Sequence, residues 1–575
     1  MKHVLKFLKG YTKESVLAPM FKCLEAIFEL LVPLAVARII DMGVRGEDSK
    51  TVYQMCGVMI ALGIIGLICA LCAQWFAARA AVGVATKLRS TVFARIQQFS
   101  YSATDTVGTA TLITRMTTDI NSVQTGINMF LRLFMRSPFI VFGAMIMAFT
   151  INVRLALIFA VTIPALAIVV FGIMLISIPI YKRSQARLDR VVGKVRENYK
   201  GTRVVRAFNK EQDEIKEFDE RNTALTKIQL FAGHISALMN PMTYVIINVA
   251  VIILIRNGAI SVNDGIISQG ELIALYNYMS QILVELIKLA NLIITLNKAS
   301  ASAHRVSDIL QMPTDTKKQI GIAEDMDGSA VSFRNVSFRY HETGDDAVSN
   351  LNFSINPGET VGIIGGTGSG KSTLINLIPG FYAPNEGSVL INGKNTGLYE
   401  KNELSKLFGI VPQRALLFKG TVRSNLLWGS DTAGDNELWA ALELAQAKDF
   451  IEQKELGLDE PVLQNGSNFS GGQKQRLTIA RALLRKPRFL ILDDSASALD
   501  YATEAKLRTA ISNLNYHPTL FIVSQRASSM IHADKILVLD DGVIVGMGTH
   551  KELLHSCDIY REIYRSQFSE GGDRE

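Results

Sequence analysis

The chain has 575 residues, a formal net charge of +7 and a hydrophobic content of 48%. That length exceeds what a single compact core organises, so at least two domains are expected. The charge suits basic loops beside anionic lipid better than a nucleic-acid site, and no nucleic-acid partner is expected.

The apolar residues are concentrated in the first half. Val52 to Ala78, Leu155 to Tyr181 and Ile235 to Ile255 contain no charged residue. Each is long enough to cross a hydrocarbon core of ~30 Å as a helix, which takes ~20 residues. Three further spans are interrupted by charge. Val16 to Ile40 carries Lys22, Glu25, Glu29 and Arg38; Ser137 to Val153 follows Arg132 and Arg136; Leu272 to Val284 leads into Glu285 and Lys288. Charges at such depth face a bundle interior or a wet cavity, because exposing them to lipid is costly. Six membrane helices are expected. Arg132, Arg136, Glu285 and Lys288 are candidates either for lining a cavity or for interhelical salt bridges.

Orientation follows from the loops. Lys2, Lys6, Lys9 and Lys13 precede the first long span, and the segments from Arg79 to Gly126 and from Lys182 to Gly233 are long and rich in Lys and Arg. The other connections are short and nearly charge-balanced. The positive-inside rule therefore places both termini and both long segments in the cytoplasm. The long segments read as helical extensions of the membrane helices. No cleavable signal peptide is expected. Cys23, Cys56, Cys69, Cys72 and Cys557 follow no disulfide or metal-binding spacing.

Composition changes after about Ser300. A membrane domain over 1–310, a linker over 311–328 and a cytosolic α/β domain over 329–575 are expected. In that last domain "GGTGSGKST", Gly365 to Thr373, lies between the strand-like "TVGIIG" and the helix start "LINLI". Strand, glycine loop and helix occur in the order that a phosphate cradle requires. Backbone N–H groups of Gly365, Gly366, Thr367, Gly368, Ser369 and Gly370 can point at phosphate oxygens, and the helix start adds favourable potential. Lys371 supplies charge for the terminal phosphates, Ser372 a hydroxyl for Mg²⁺, and Thr373 closes the motif. Further on, "NFSGGQKQR", Asn468 to Arg476, precedes "LILDDSASALD", Leu490 to Asp500, an apolar strand that delivers Asp493 to its tip as a metal-binding carboxylate.

With these motifs the sequence resembles the ATP-binding cassette (ABC) transporters over nearly its whole length. The resemblance implies a six-helix transmembrane domain followed by an α/β phosphate-loop NTPase that binds ATP and Mg²⁺. It implies that Gln413 in "VPQRALLF" reaches the metal and the attacking water, that Tyr340 in "FRNVSFRYHE" stacks on adenine, and that Asp500 belongs to the nucleotide site. "TDTVGTATLITRMTTDINSVQ", Thr104 to Gln124, and "GTRVVRAFNKEQDEIKEF", Gly201 to Phe218, resemble the two intracellular loops of six-helix exporters, whose short helices dock on the cassettes. Family cassettes pair head to tail, so that Phe469, Ser470, Gly471, Gly472 and Gln473 would complete the site of a second half-transporter.

Two positions depart from the family pattern. The family places a glutamate general base after the metal aspartate; here it is Asp494, one methylene shorter. The histidine that normally contacts the γ-phosphate is replaced by Gln525, which can hydrogen-bond but cannot carry positive charge. The stretch before the signature, "LQNGSNFSGG", also lacks the Glu-Arg pair common in exporters. A shortfall of ~1 Å at a reacting group can cost ~100-fold. The expectation is one subunit of a heterodimeric multidrug- or lipid-type exporter in a bacterial plasma membrane, with a degenerate site of its own and an intact signature for its partner. A hydrophobic or amphipathic substrate is expected. The alternatives are a homodimer with a slow Asp base, an exporter-fold importer of metal chelates, and a sensing cassette protein.

Overall fold

The computed structural model describes residues 6–312, 328–340, 344–495 and 497–568. Most of the linker expected at 311–328 therefore lies outside the described residues. The chain forms two compact units. One comprises Met1–Gln98 with Val107–Met312, the other Phe99–Thr106 with Pro313–Glu575.

The first unit is all helical. Among the described residues, five helices are long and apolar enough to cross a membrane: Ser49–Ile96, Thr109–Ile151, Val153–Ala207, Glu211–Asn263 and Gln269–Gln311. Most of the remaining expected span, Val16 to Ile40, lies in the 27-residue helix Thr12–Arg38, which is not among the five. Its charged residues are the physical reason: they dilute its apolar face, and Lys22 is nevertheless buried. The helix of 55 residues from Val153 to Ala207 would extend ~80 Å at ~1.5 Å per residue, far beyond a ~30 Å hydrocarbon core. The segment Gly201 to Phe218 differs in form from the short docking helix expected there. No separate short helix forms there; the long helix runs through Gly201 to Ala207 and turns at Phe208–Lys210 before Glu211. Asn209 makes that turn in the left-handed region (φ 52°), which asparagine tolerates better than most residues.

The ionisable groups in this unit form an interhelical network. The Arg136 guanidinium donates to Glu285 at 2.7 Å and to Glu29 at 2.6 Å, while Ser137 and Lys288 each donate to Glu285 at 2.8 Å. Arg136 is 7% exposed and Glu285 3%. Both sequence-level readings hold in part, because Glu29, Glu285 and Lys288 also line a cleft of about 410 Å³ with Val32, Pro33, Asn277 and Gln281. Arg132 and Arg136 do not line it. Removing one member of a buried ion pair costs ~3–5 kcal/mol, whereas replacing the pair by apolar side chains can be neutral. Glu285→Ala is therefore expected to lower the thermal midpoint of the detergent-purified protein markedly. Adding Arg136→Met should restore much of it.

The second unit is α/β. A four-stranded antiparallel sheet holds β1 (Val331–Phe338), β2 (Val348–Ile355), β4 (Glu386–Ile391) and β5 (Lys394–Asn395), in the order β2-β1-β4-β5. The main sheet contains β3 (Thr360–Gly365), β6 (Phe408–Val411), β9 (Phe489–Asp493), β10 (Thr519–Val523), β11 (Lys535–Asp540) and β12 (Val543–Gly548), in the order β12-β11-β3-β10-β9-β6. A short ribbon pairs β7 (Gly420–Thr421) with β8 (Pro461–Val462). Strands β3, β10, β9 and β6 are parallel neighbours. They read as continuous apolar runs such as "LFIV" and "FLIL" because both faces of a parallel sheet are covered. Phe489 and Phe521 are buried between the layers.

Candidate nucleotide site

In open α/β sheets ligands collect at the carboxyl ends of the parallel strands. Here those ends gather most of the predicted residues. β3 ends at Gly365, β9 at Asp493, and β10 at Val523, two residues before Gln525. β6 ends at Val411, two residues before Gln413. The register aligns Val523 with both Asp493 and Ile363, so the glycine loop after β3 and Asp493 flank the strand that leads to Gln525.

The loop Gly366–Gly370 joins β3 to the helix Lys371–Leu377, which holds Ser372 and Thr373 in its first turn. Gly370 caps that helix with φ 93°. A Cβ there would lie 2.7 Å from the Ala347 carbonyl oxygen, so conformation and space both demand glycine. The Lys371 ammonium is folded back into the loop, donating to the carbonyls of Gly365 at 3.0 Å and Gly366 at 2.5 Å and to the Ser369 hydroxyl at 3.3 Å. Burial pushes its pKa down, and the charges of Asp494 and Asp493 oppose that shift.

Asp493 and Asp494 sit side by side at the tip of β9, both half-buried. Burial pushes the Asp493 carboxyl up, and the Asp494 charge adds to it; a backbone hydrogen bond from Gln413 and the Lys371 charge pull the other way. A site where one carboxylate is raised by burial and by a neighbouring carboxylate would be relieved by a divalent cation. The oxygens of Ser372, Gln413 and Asp493 form a hard donor set that suits Mg²⁺ completed by phosphate and water.

Asp494 occupies the left-handed region (φ 43°), held by its N–H donating to the Val523 carbonyl at 2.9 Å and by Ser497 donating to its own carbonyl. Its carboxylate accepts from the Gln413 amide at 3.2 Å. The two residues expected to flank an attacking water thus bond to each other. Gln525 is exposed at the same edge, and its backbone carbonyl accepts from Gln567 at 2.7 Å. The following residue, Arg526, binds Glu504 at 3.3 Å and lies over the Tyr501 ring.

Tyr340 joins this group through its hydroxyl, 3.1 Å from the Thr373 hydroxyl, while the residue as a whole stays 42% exposed. The signature residues have a different setting. Ser470 caps the helix Gly471–Leu484 in a reciprocal box with Gln473, and Phe469 is buried against Phe450. Among the described residues, no hydrogen bond joins Phe469, Ser470, Gly471, Gly472 or Gln473 to the phosphate loop. Asp500 caps the helix Tyr501–Ser512 by accepting from Thr503 at 2.9 Å, and these hydrogen bonds lower its pKa. Sequence reasoning missed Gln475, a buried side chain that donates to the Pro412 carbonyl at 3.3 Å and ties the signature helix to the segment before Gln413. It also missed Glu504, which is buried beneath Arg508, Arg526 and Ser529. Both are ordinary polar residues on helices, and only their burial distinguishes them.

Residues 16–286 match the family model "ABC transporter transmembrane region", and residues 348–497 match "ABC transporter". The chain is 36% identical to the uncharacterized ABC transporter ATP-binding protein YfiB of Bacillus subtilis, covering 100% of this chain and 99% of that one. It is 34% identical to the uncharacterized ABC transporter ATP-binding protein MT1311 of Mycobacterium tuberculosis, covering 97% of each. A solved bacterial Atm1-family ABC exporter with ATP bound has the same fold, with a TM-score of 0.80, 23% identity and coverage of 98% of this chain and 99% of that one. A phosphate loop, a carboxylate strand and a helical membrane unit in one chain thus meet full-length relatives of one kind: the chain belongs to the ABC transporters, as an exporter-fold half-transporter that joins a transmembrane region to an ATP-hydrolysing cassette.

Proposed function

We propose that this chain is the degenerate-site half of a heterodimeric exporter in a bacterial plasma membrane, with its termini and cassette in the cytoplasm. Its own phosphate loop holds ATP and Mg²⁺, and its Ser470–Gln473 segment completes the hydrolytic site of a second half-transporter. The observation that carries this reading is Asp494 in place of glutamate, its carboxylate already engaged by Gln413 at 3.2 Å, beside Gln525 in place of histidine. General-base catalysis is worth ~10²–10⁴-fold, and a short, engaged carboxylate forfeits much of it. Mg²⁺, when bound, neutralises charge on the phosphates, while Lys371 and the loop amides orient them.

Exposed apolar surfaces support an assembled state. Phe208, at the tip of the second intracellular loop, is 73% exposed, and on the cassette Phe418 stacks on Trp428, itself 65% exposed. Such patches mark interaction sites, and a partner's loop and cassette would cover them. The membrane-unit cleft supports an amphipathic substrate, since Val32, Val36, Ile140 and Val284 share its wall with Glu29, Asn277, Gln281 and Lys288.

The purified chain alone is expected to show little Mg²⁺-ATPase activity, because a self-paired dimer carries Asp494 and Gln525 at both sites. Robust turnover by the lone chain would favour a homodimer with a slow aspartate base. Uptake of a fluorescent amphiphile into inside-out vesicles containing both halves tests direction and substrate class together.

A further inference from the structure

Residues Phe99–Thr106 fall within the cassette unit, and what they touch there is specific. Ser100 opens the short helix Tyr101–Val107, its hydroxyl accepting from the Ala103 N–H, and Gly108 ends it with φ 76°. Tyr101 stacks on Phe381 with centroids 4.3 Å apart. One residue further, the Tyr382 hydroxyl donates to the Asp105 carboxylate at 2.5 Å. The other side of Tyr382 meets Tyr340, ring centroids 5.4 Å apart and nearly perpendicular, with Phe338 packed against both. Tyr340 is fixed at its far end by Thr373 of the phosphate-loop helix.

We propose that Tyr382 is a positioning residue that links occupancy of the Tyr340 face by a purine base to Asp105 of the first intracellular segment. The inference rests on the reading of Tyr340 as the adenine platform. A base stacked on the exposed face of Tyr340 would clamp that ring between itself and the edge-on Tyr382. Tyr382 would then have a fixed orientation in which to hold Asp105. Residues 101–106 continue covalently at both ends into the helices Ser49–Ile96 and Thr109–Ile151, so ordering them bears on two membrane helices. A site that hydrolyses slowly could in this way signal that it is filled without turnover, through the base rather than the γ-phosphate.

The test uses the assembled dimer in lipid nanodiscs, with a spin label on Ser102→Cys after the exposed Cys56 has been replaced. ATP affinity of this chain's site is read with a fluorescent ATP analogue, and loop ordering from the label's spectrum with and without saturating ATP. Tyr382→Phe, which keeps the ring and removes the donor, should leave affinity within about twofold and abolish most of the ATP-dependent ordering. Asp105→Ala should do the same, and the double variant should be no worse than either alone, as expected when two residues act through one bond. Additive losses, or an unchanged spectral response in Tyr382→Phe, would overturn the link. The underlying reading has its own measurement. Tyr340→Ala should weaken ATP binding roughly 5- to 150-fold, the worth of one base–aromatic stack, and unchanged affinity there would remove the adenine platform and leave the Tyr382–Asp105 bond merely structural.

Discussion

Gly471→Asp in this chain is expected to cut ATP turnover of the assembled heterodimer by ~100-fold or more, whereas Asp494→Asn should change it by less than about threefold. The order looks inverted, because Asp494 lies at this chain's own nucleotide. It follows if Ser470 and the backbone of Gly471 and Gly472 face the γ-phosphate held by the partner. A charge-assisted hydrogen bond is worth ~1.5–3 kcal/mol, and each ~1.4 kcal/mol is tenfold in rate. A carboxylate at Gly471 would add repulsion and block close approach. Gly471 is also the cleaner site to change. A Cβ there meets no heavy atom of its own chain within 4 Å, while one on Gly472 would lie 2.9 Å from the Ala498 carbonyl. Ser470→Ala would in addition remove the cap of the helix Gly471–Leu484, a loss of ~1 kcal/mol in stability. Steady-state phosphate release from co-purified pairs measures all three. Near-normal turnover in Gly471→Asp with a dead Asp494→Asn would show that the working site has been assigned to the wrong chain.

The second large effect is a gain. Asp494→Glu combined with Gln525→His should raise ATP turnover of the chain purified alone by ~100-fold, restoring the reach of the base and a cationic contact to the γ-phosphate. The backbone imposes a modest tax. At φ 43° aspartate is more at ease than glutamate, since short polar side chains tolerate the left-handed region best. Longer reach should also carry the carboxylate past the Gln413 amide that now engages it at 3.2 Å. If the double variant stays as slow as the parent, some other feature silences the site. The first place to look is the segment before the signature, which lacks the Glu-Arg pair.

The phosphate loop and the Asp493 strand were legible in the sequence because each is a compact pattern carrying its own local structure, whereas Gln413 was named only through the family resemblance. Strand, glycine turn and helix start lie within Thr360–Leu377, so the chemistry can be read without knowing the tertiary fold. The charged spans could be read only as a pair of options. Arg136 and Glu285 are 149 residues apart, and nothing local says whether such groups meet each other or line a cleft. The first helix carries Lys22, Glu25, Glu29 and Arg38, and composition alone does not single it out as a span. Tyr382 and Asp105 were invisible. They are separated by 277 positions, each is commonplace, and their pairing exists only because Phe99–Thr106 belongs to the same compact unit as Tyr382.

That last arrangement bears on how a soluble fragment of this protein would behave. A gene trimmed to begin at residue 329 would yield every strand of the α/β unit and still omit one of its parts. Phe381 would lose the ring stacked on it at 4.3 Å, and Tyr382 would lose its acceptor, leaving two aromatic side chains open to water next to Tyr340. Such a fragment would be stickier than the intact chain, and its nucleotide affinity would report on an aromatic cluster lacking one wall. Grafting Phe99–Thr106 back, as a fused or added peptide, is the natural repair.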